Sequence, residues 1–283
     1  MEFPLSGKVA SRLEYLAEVG STNDVLVEHA TGPDAAAWPD LSVVVTDNQT
    51  RGRGRLGRTW LAPTGKSLAI SVLVRPFRDD GEPLPPDHLG WFPLLAGAAM
   101  TRVVRQVVES AAAAQPAEAR DDEAPAAHVV TLKWPNDVLI DGYKVSGILS
   151  ELLPDARGLV IGAGLNLTLD EHDLPTLTST SLLLVTHSRP NPDAVLALYL
   201  TELRALAHAF TAAGGDPVRS GLQGEVTELC GTLGSPVRVE LPGGTDLVGT
   251  AIGIDTQGRL IVENQVNGEL QAVAAGDVTH LRY

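Results

Sequence analysis

Only one cysteine, Cys230, stands in the 283 residues, so no internal disulfide can form and a reducing compartment is expected. Neither that cysteine nor the seven histidines show metal-ligand spacing, which argues against a zinc site. Lysine is scarce too: four (Lys8, Lys66, Lys133, Lys144) against 17 arginines. A lysine inside a motif therefore carries more information than an arginine. The cations are outnumbered by 35 acids, giving a net charge of −14. A broad surface for nucleic-acid phosphates is excluded on that ground, and no DNA partner is expected. No apolar run reaches the roughly 18–20 residues of a membrane span. The first residues lack a basic segment followed by an apolar one, so the expectation is a cytoplasmic globular protein with no membrane partner. Two catalytic signatures are missing as well. Without G-x-S-x-G there is no serine-hydrolase elbow, and without G-x-x-x-x-G-K-[ST] any nucleotide site is not a P-loop.

The patterning that is present alternates between strand and helix. Residues 12–20 alternate apolar and polar and predict a strand; Ser21-Thr22-Asn23-Asp24 has the form of a capping box opening a helix to about residue 30. Val43-Val44-Val45, 67–74, 128–133 and 158–167 predict further strands, and Asp141-Gly142 a hairpin turn. Helical spacing of apolar residues predicts long helices over 88–108 and 193–213. The Ala/Pro/acid-rich stretch 111–127 reads as a mobile surface insertion without a site. Together these give a mixed α/β sheet with helices on one face. Beyond about residue 224 short strands alternate with turns such as Asn267-Gly268, predicting a small closed barrel. The expected division is 1–223 and 224–283.

Three segments carry chemistry. Gly52, Gly54 and Gly57 spell G-x-G-x-x-G, but Trp60 to Gly65 cannot open the helix that a dinucleotide fingerprint needs. What the segment offers is exposed backbone amide groups interleaved with Arg51, Arg53, Arg55 and Arg58, whose guanidinium forks bind carboxylate or phosphate. A solvated basic loop or an RNA-binding module fits that segment alone about equally well. The second runs from Lys133-Trp134-Pro135-Asn136-Asp137 to Lys144-Val145-Ser146-Gly147, where a hairpin can set two of the four lysines side by side. A plain hairpin with surface charges is the bland alternative, but an unpaired lysine in an apolar strand would be costly. The third, Gly162-Ala163-Gly164-Leu165-Asn166, is a strand that lets something approach its backbone.

Taken in order, Ser21-Thr22-Asn23, Gln49 with 51–60, 133–137, 144–147 and 162–166 resemble the motifs of biotin–protein ligases. The segments 233–239, 249–255 and 275–278 resemble that family's small C-terminal domain. The resemblance implies a class II synthetase-like catalytic domain with an SH3-like β-barrel behind it. It implies ATP, Mg²⁺ and biotin as cofactor and substrates, a biotinyl-5′-AMP intermediate, and a biotin carboxyl carrier domain as protein partner. Ser21, Thr22, Asn23, Gln49, Gly52, Arg53, Gly54, Arg55, Lys144 and Gly147 are the residues it implies for biotin. For ATP it implies Arg55, Arg58, Trp60, Lys133, Asn136 and Asn166. Lys144, Arg53, Arg55 and Asp137 are the catalytic set, with no permanently bound metal; Mg²⁺ arrives with ATP, and Asp137 is the candidate contact. Ser21 follows only 20 residues, too few for the DNA-binding domain of some family members, so a repressor role is not expected. A homodimer is left open. The nearest rival is a lipoate–protein ligase, which would have no ureido group to pair with neutral hydroxyls and amides.

Overall fold

A computed structural model describes residues 1–78, 80–114, 127–241, 244–274 and 276–281. In chain order, β1 (Arg12–Tyr15) leads to α1 (Thr22–Thr31), β2 (Ser42–Thr46), β3 (Gln49–Arg53), β4 (Thr59–Ala62) and β5 (Ser67–Val74). Next come α2 (Phe92–Ala114), β6 (Val130–Lys133), β7 (Asp137–Ile140), β8 (Tyr143–Leu152) and β9 (Leu159–Asn166). Three helices follow, α3 (Leu182–Thr186), α4 (Pro192–Ala212) and α5 (Leu222–Leu229), and then β10 (Pro236–Leu241), β11 (Thr245–Ile254), β12 (Leu260–Asn264), β13 (Leu270–Val273) and β14 (Asp277–His280).

Seven strands form one sheet in the order β1-β2-β5-β9-β8-β7-β6, with β1 parallel to β2 and every other pair antiparallel. The central strand β5 is buried on both faces, and its side chains sort strictly by parity. Leu68, Ile70 and Val72, with Ile161 and Leu165 of β9, join the main core beneath α2 and α4. Val44, Leu73 and Val160 face the other way and pack with Leu26 and Ala30 of α1. The long helices thus cover one face as expected, but α1 lies on the opposite face. That placement brings its N-terminus over the middle of the sheet. Ser21 caps it, its hydroxyl accepting from the Asp24 amide at 3.4 Å. Asp193, in the first turn of α4, ties down the chain start by accepting from the Leu5 and Ser6 amides and the Ser6 hydroxyl at 2.7–2.9 Å.

Several boundaries differ from the sequence expectation. The first strand ends at Tyr15 rather than 20, and only an isolated bridge from Val19 to Gln49 continues it. The helix expected over 88–108 is a 3₁₀ segment, Pro86–Trp91, and then α2, which runs on to Ala114. Proline at the start favours the tight turn, and alanine, the best helix former, extends the end through 111–114. Residues 115–126 of the expected insertion lie outside the described residues. Position 224 falls within α5. The C-terminal strands pair antiparallel in the order β13-β12-β11-β10-β14. Among the described residues β13 and β14 stand at the two ends of this order.

Candidate functional site

One rung of the sheet defines the floor of the site. Reading across it, Thr46, Ala69, Gly164, Gly147, Asp137 and Lys133 are successive partners on β2, β5, β9, β8, β7 and β6. Side chains of paired residues share a face, so three small residues lie at its centre with Asp137 and Lys133 beside them. The adjacent rung adds Ser71 and Gly162. Above this floor, between α1 and the β3–β4 hairpin, lies a cavity of about 600 Å³. Ligand sites for drug-sized molecules fall in the range of about 300–1,000 Å³.

The Gly/Arg segment is that hairpin rather than an irregular loop. Gln49 pairs with Ala62, Gly52 with Trp60 and Arg53 with Thr59, and a 3₁₀ turn at Arg55–Gly57 joins the strands. It folds over the sheet so that Trp60 covers Gly164 and Gly147; a Cβ at Gly164 would overlap the indole ring. The glycines of β9 are therefore spaces for other groups: a Cβ at Gly162 would come within 2.5 Å of Asn23 Oδ1.

At the α1 end of the cavity, neutral polar groups form a chain. The Thr22 amide and hydroxyl donate to Gln49 Oε1 at 3.0 and 3.1 Å. Ser71 Oγ lies 2.8 Å from Thr22 Oγ1 and 2.6 Å from Asn23 Oδ1. Asn23 Nδ2 donates to the Leu149 carbonyl and, at 2.8 Å, to Glu151 Oε1. Arg53 spans from the hairpin to Asp24 at 2.5 Å and to Glu151 at 3.0 Å. Burial opposes its charge, but the carboxylates of Glu151 and Asp24 outweigh that and raise its pKa above the ordinary arginine value.

At the opposite end, Lys144 Nζ pairs with Asp137 Oδ1 at 2.7 Å and stands 5.7 Å from the Trp60 ring centre. Its strand position is held from both sides, since the Lys144 amide donates to the Thr178 carbonyl and its carbonyl accepts from Thr180. Arg55 donates to Asn136 Oδ1 at 3.1 Å and to the Gly276 carbonyl at 3.3 Å, joining the hairpin to the C-terminal sheet. Asn136 Nδ2 is bonded to the Ile148 carbonyl, so both ends of that amide are engaged. On the cavity wall, Trp60 Nε1 and Asn166 Oδ1 are buried without a hydrogen-bond partner among the described residues. Buried donors and acceptors are nearly always satisfied, and exceptions often await a ligand.

Every site residue expected from the sequence lines this cavity except Gly52. That glycine is buried within the hairpin, where a Cβ would press on the Gln49 amide and the Trp60 carbonyl. Gly52 thus makes room for Gln49.

The profile of the Biotin/lipoate A/B protein ligase family matches residues 18–166, and that of the biotin protein ligase C-terminal domain matches 232–281. The chain is 37% identical over 272 residues to the biotin–[acetyl-CoA-carboxylase] ligase of Mycobacterium tuberculosis, covering 96% of this chain and 90% of that protein. The chain belongs to the biotin/lipoate A/B protein ligase family. The bifunctional ligase/repressor BirA of Bacillus spizizenii is 30% identical over 233 residues, 80% of this chain and 63% of that protein. Among solved structures, biotin protein ligase from Aquifex aeolicus in complex with biotin and ATP superposes with a TM-score of 0.71 at 25% identity, covering 96% of this chain and 100% of that one. Biotin protein ligase from Leishmania major in complex with biotinyl-5-AMP gives 0.60 at 25% identity, covering 94% and 99%.

In this family member the residues that sequence reasoning passed over are Ser71, Glu151 and the hydroxyl-rich segment Thr176, Thr178 and Ser179, all in or against the site. Ser71 and Glu151 occupy alternate, site-facing positions of strands that read as apolar runs. Parity within those strands was the available signal. No helix among the described residues is long and apolar enough to cross a membrane.

Proposed function

We propose that this protein activates biotin with ATP as biotinyl-5′-AMP and transfers the biotinyl group to a lysine of a biotin carboxyl carrier domain. The observation that carries the reading is the convergence of Arg53, Arg55 and Lys144, from two separate hairpins, on one cavity. Two anions must meet there, and fixed cations lower the cost of bringing them together.

In the first half-reaction a biotin carboxylate oxygen bonds to the α-phosphorus as the bond to pyrophosphate breaks. Lys144, held between the Asp137 carboxylate and the cavity, is placed to neutralise the charge that accumulates at that oxygen and phosphorus. Arg53 serves the carboxylate side; Arg55 and Arg58 serve the phosphate side. The hydroxyl and amide groups of Ser21, Thr22, Asn23 and Gln49 suit the neutral ureido ring, whose donors and acceptors need partners without net charge. A dithiolane offers no amide donors or carbonyl acceptor to pair with them, which disfavours lipoate. Gly54 and Gly147 give the ligand access to backbone, and Trp60 Nε1, Lys133, Asn136 and Asn166 Oδ1 are the groups for the nucleotide. In the second half-reaction the carrier lysine's amine attacks the anhydride carbonyl, an amide forms and AMP leaves; Asp137 is the candidate proton acceptor.

Magnesium would enter on the phosphates of ATP. Asp137, beside Lys144, is the carboxylate placed to meet it. The same reading divides the chain into a catalytic part, 1–223, and an SH3-like part, 224–283, and sets the reaction in the cytoplasm. Biotin-dependent exchange of labelled pyrophosphate into ATP tests it, with lipoate in a parallel arm. Exchange with biotin alone is expected, together with a biotinyl mass increment on an added carrier domain. Exchange with lipoate alone, or with neither acid, overturns it.

A further inference from the structure

Resting on that reading, we infer that Glu151 is a positioning residue for biotin: one carboxylate sets the orientation of Asn23 and anchors Arg53, linking the floor of the biotin site to the hairpin above it. Glu151 Oε1 accepts from both Asn23 Nδ2 at 2.8 Å and Arg53 Nη2 at 3.0 Å. The first bond fixes which way the Asn23 amide points. With Nδ2 spent on Glu151 and the Leu149 carbonyl, Oδ1 is turned to Ser71, and the Thr22–Ser71–Asn23 chain acquires a single direction of donors and acceptors. Without an anion at position 151 the amide can flip and present the opposite pattern. The second bond holds the β3 end of the hairpin against the sheet, since Arg53 is its last strand residue and Glu151 belongs to β8. Asp24 is the other anchor of Arg53, but among the described residues its side chain has no hydrogen bond to the Asn23 amide, whereas Glu151 binds both side chains. Its side chain is one-third exposed, so it is not a core ion pair.

The expected consequence is confined to one substrate. Glu151→Gln keeps shape but loses charge, and Glu151→Ala loses both bonds. In the exchange assay each should raise the KM for biotin by roughly 10- to 100-fold, as loss of charge-assisted hydrogen bonds does. The KM for ATP should stay within about twofold, because uniform loss of one substrate's binding leaves the other's constant in place. A cycle of E151Q with R53A, run as full-length proteins, should be strongly non-additive, since both changes remove one shared contact. Should Glu151→Ala fail to fold, the near-isosteric Glu151→Gln carries the test. Unchanged biotin KM in a folded variant, equal damage to both KM values, or simple additivity with R53A overturns the role. A wild type without any biotin-dependent exchange would instead remove the ligase reading on which it rests.

Discussion

The indole of Trp60 rests on the bare backbone of Gly164, which leaves no space for even a methyl group between hairpin and sheet. Gly164→Ala should therefore push Trp60 and its hairpin off the floor while leaving the core beneath α2 intact. A displacement of about 1 Å can cost on the order of 10²-fold in rate, and a drop of that size in adenylate formation is expected. Steady-state exchange with a thermal melt checks it; full activity would show that Trp60 is not held by this contact.

Lys144→Ala removes the ammonium between Asp137 and the cavity. Loss of one preorganised cation typically costs roughly 10²–10³ in rate, so adenylate formation should nearly vanish. Stability should change by no more than about 1 kcal/mol, the usual worth of a partly solvated ion pair. Mass spectrometry for biotinyl-AMP beside calorimetry separates the two effects, and retained activity would take Lys144 out of the mechanism.

Asp193 links pH to the anchoring of the chain start. Burial alone would raise its pKa, but the Leu5 and Ser6 amides and the Ser6 hydroxyl more than offset this, so the folded value lies below the ordinary one. A depressed folded pKa means the contribution is complete above the unfolded value, about 3.9, and is lost as pH falls through the lower folded one. Asp193→Asn should destabilise by about 1–3 kcal/mol at pH 7, given bonds to a charged acceptor. The gap between the two proteins should narrow below about pH 4 as the wild-type carboxylate protonates. Urea melts from pH 7 to pH 3 measure this; a gap independent of pH would show that charge plays no part.

Cys230 is buried, and burial raises its thiol pKa despite hydrogen bonds with Thr232 and nearby backbone. A protonated, enclosed thiol is a poor nucleophile. The native protein should react with a thiol reagent such as DTNB at least about 100-fold more slowly than the urea-unfolded chain, following the opening equilibrium. Rapid labelling of the folded form would contradict the enclosure.

Much of the catalytic part is legible in sequence because its signals are local. Ser21 and Asp24 announce the start of α1, Asp141-Gly142 the turn between β7 and β8, and the apolar spacing the cores of α2 and α4. The reciprocal half of the capping box was not so simple: Asp24 turns outward to Arg53. The hairpin over 49–62 was hidden because Gly and Arg alternate through 51–55 without an apolar face, so no period of two marks its first strand. The pairing of Glu151 with Asn23 joins residues 128 positions apart and depends on strand register, which no local pattern encodes.

The hydrogen bond from Arg55 to the carbonyl of Gly276 gives the tail end of the polypeptide a grip on the fingertip of the hairpin. A substitution around residue 276 can thus masquerade as a nucleotide-handling defect, although it sits 221 positions away from the guanidinium it disturbs.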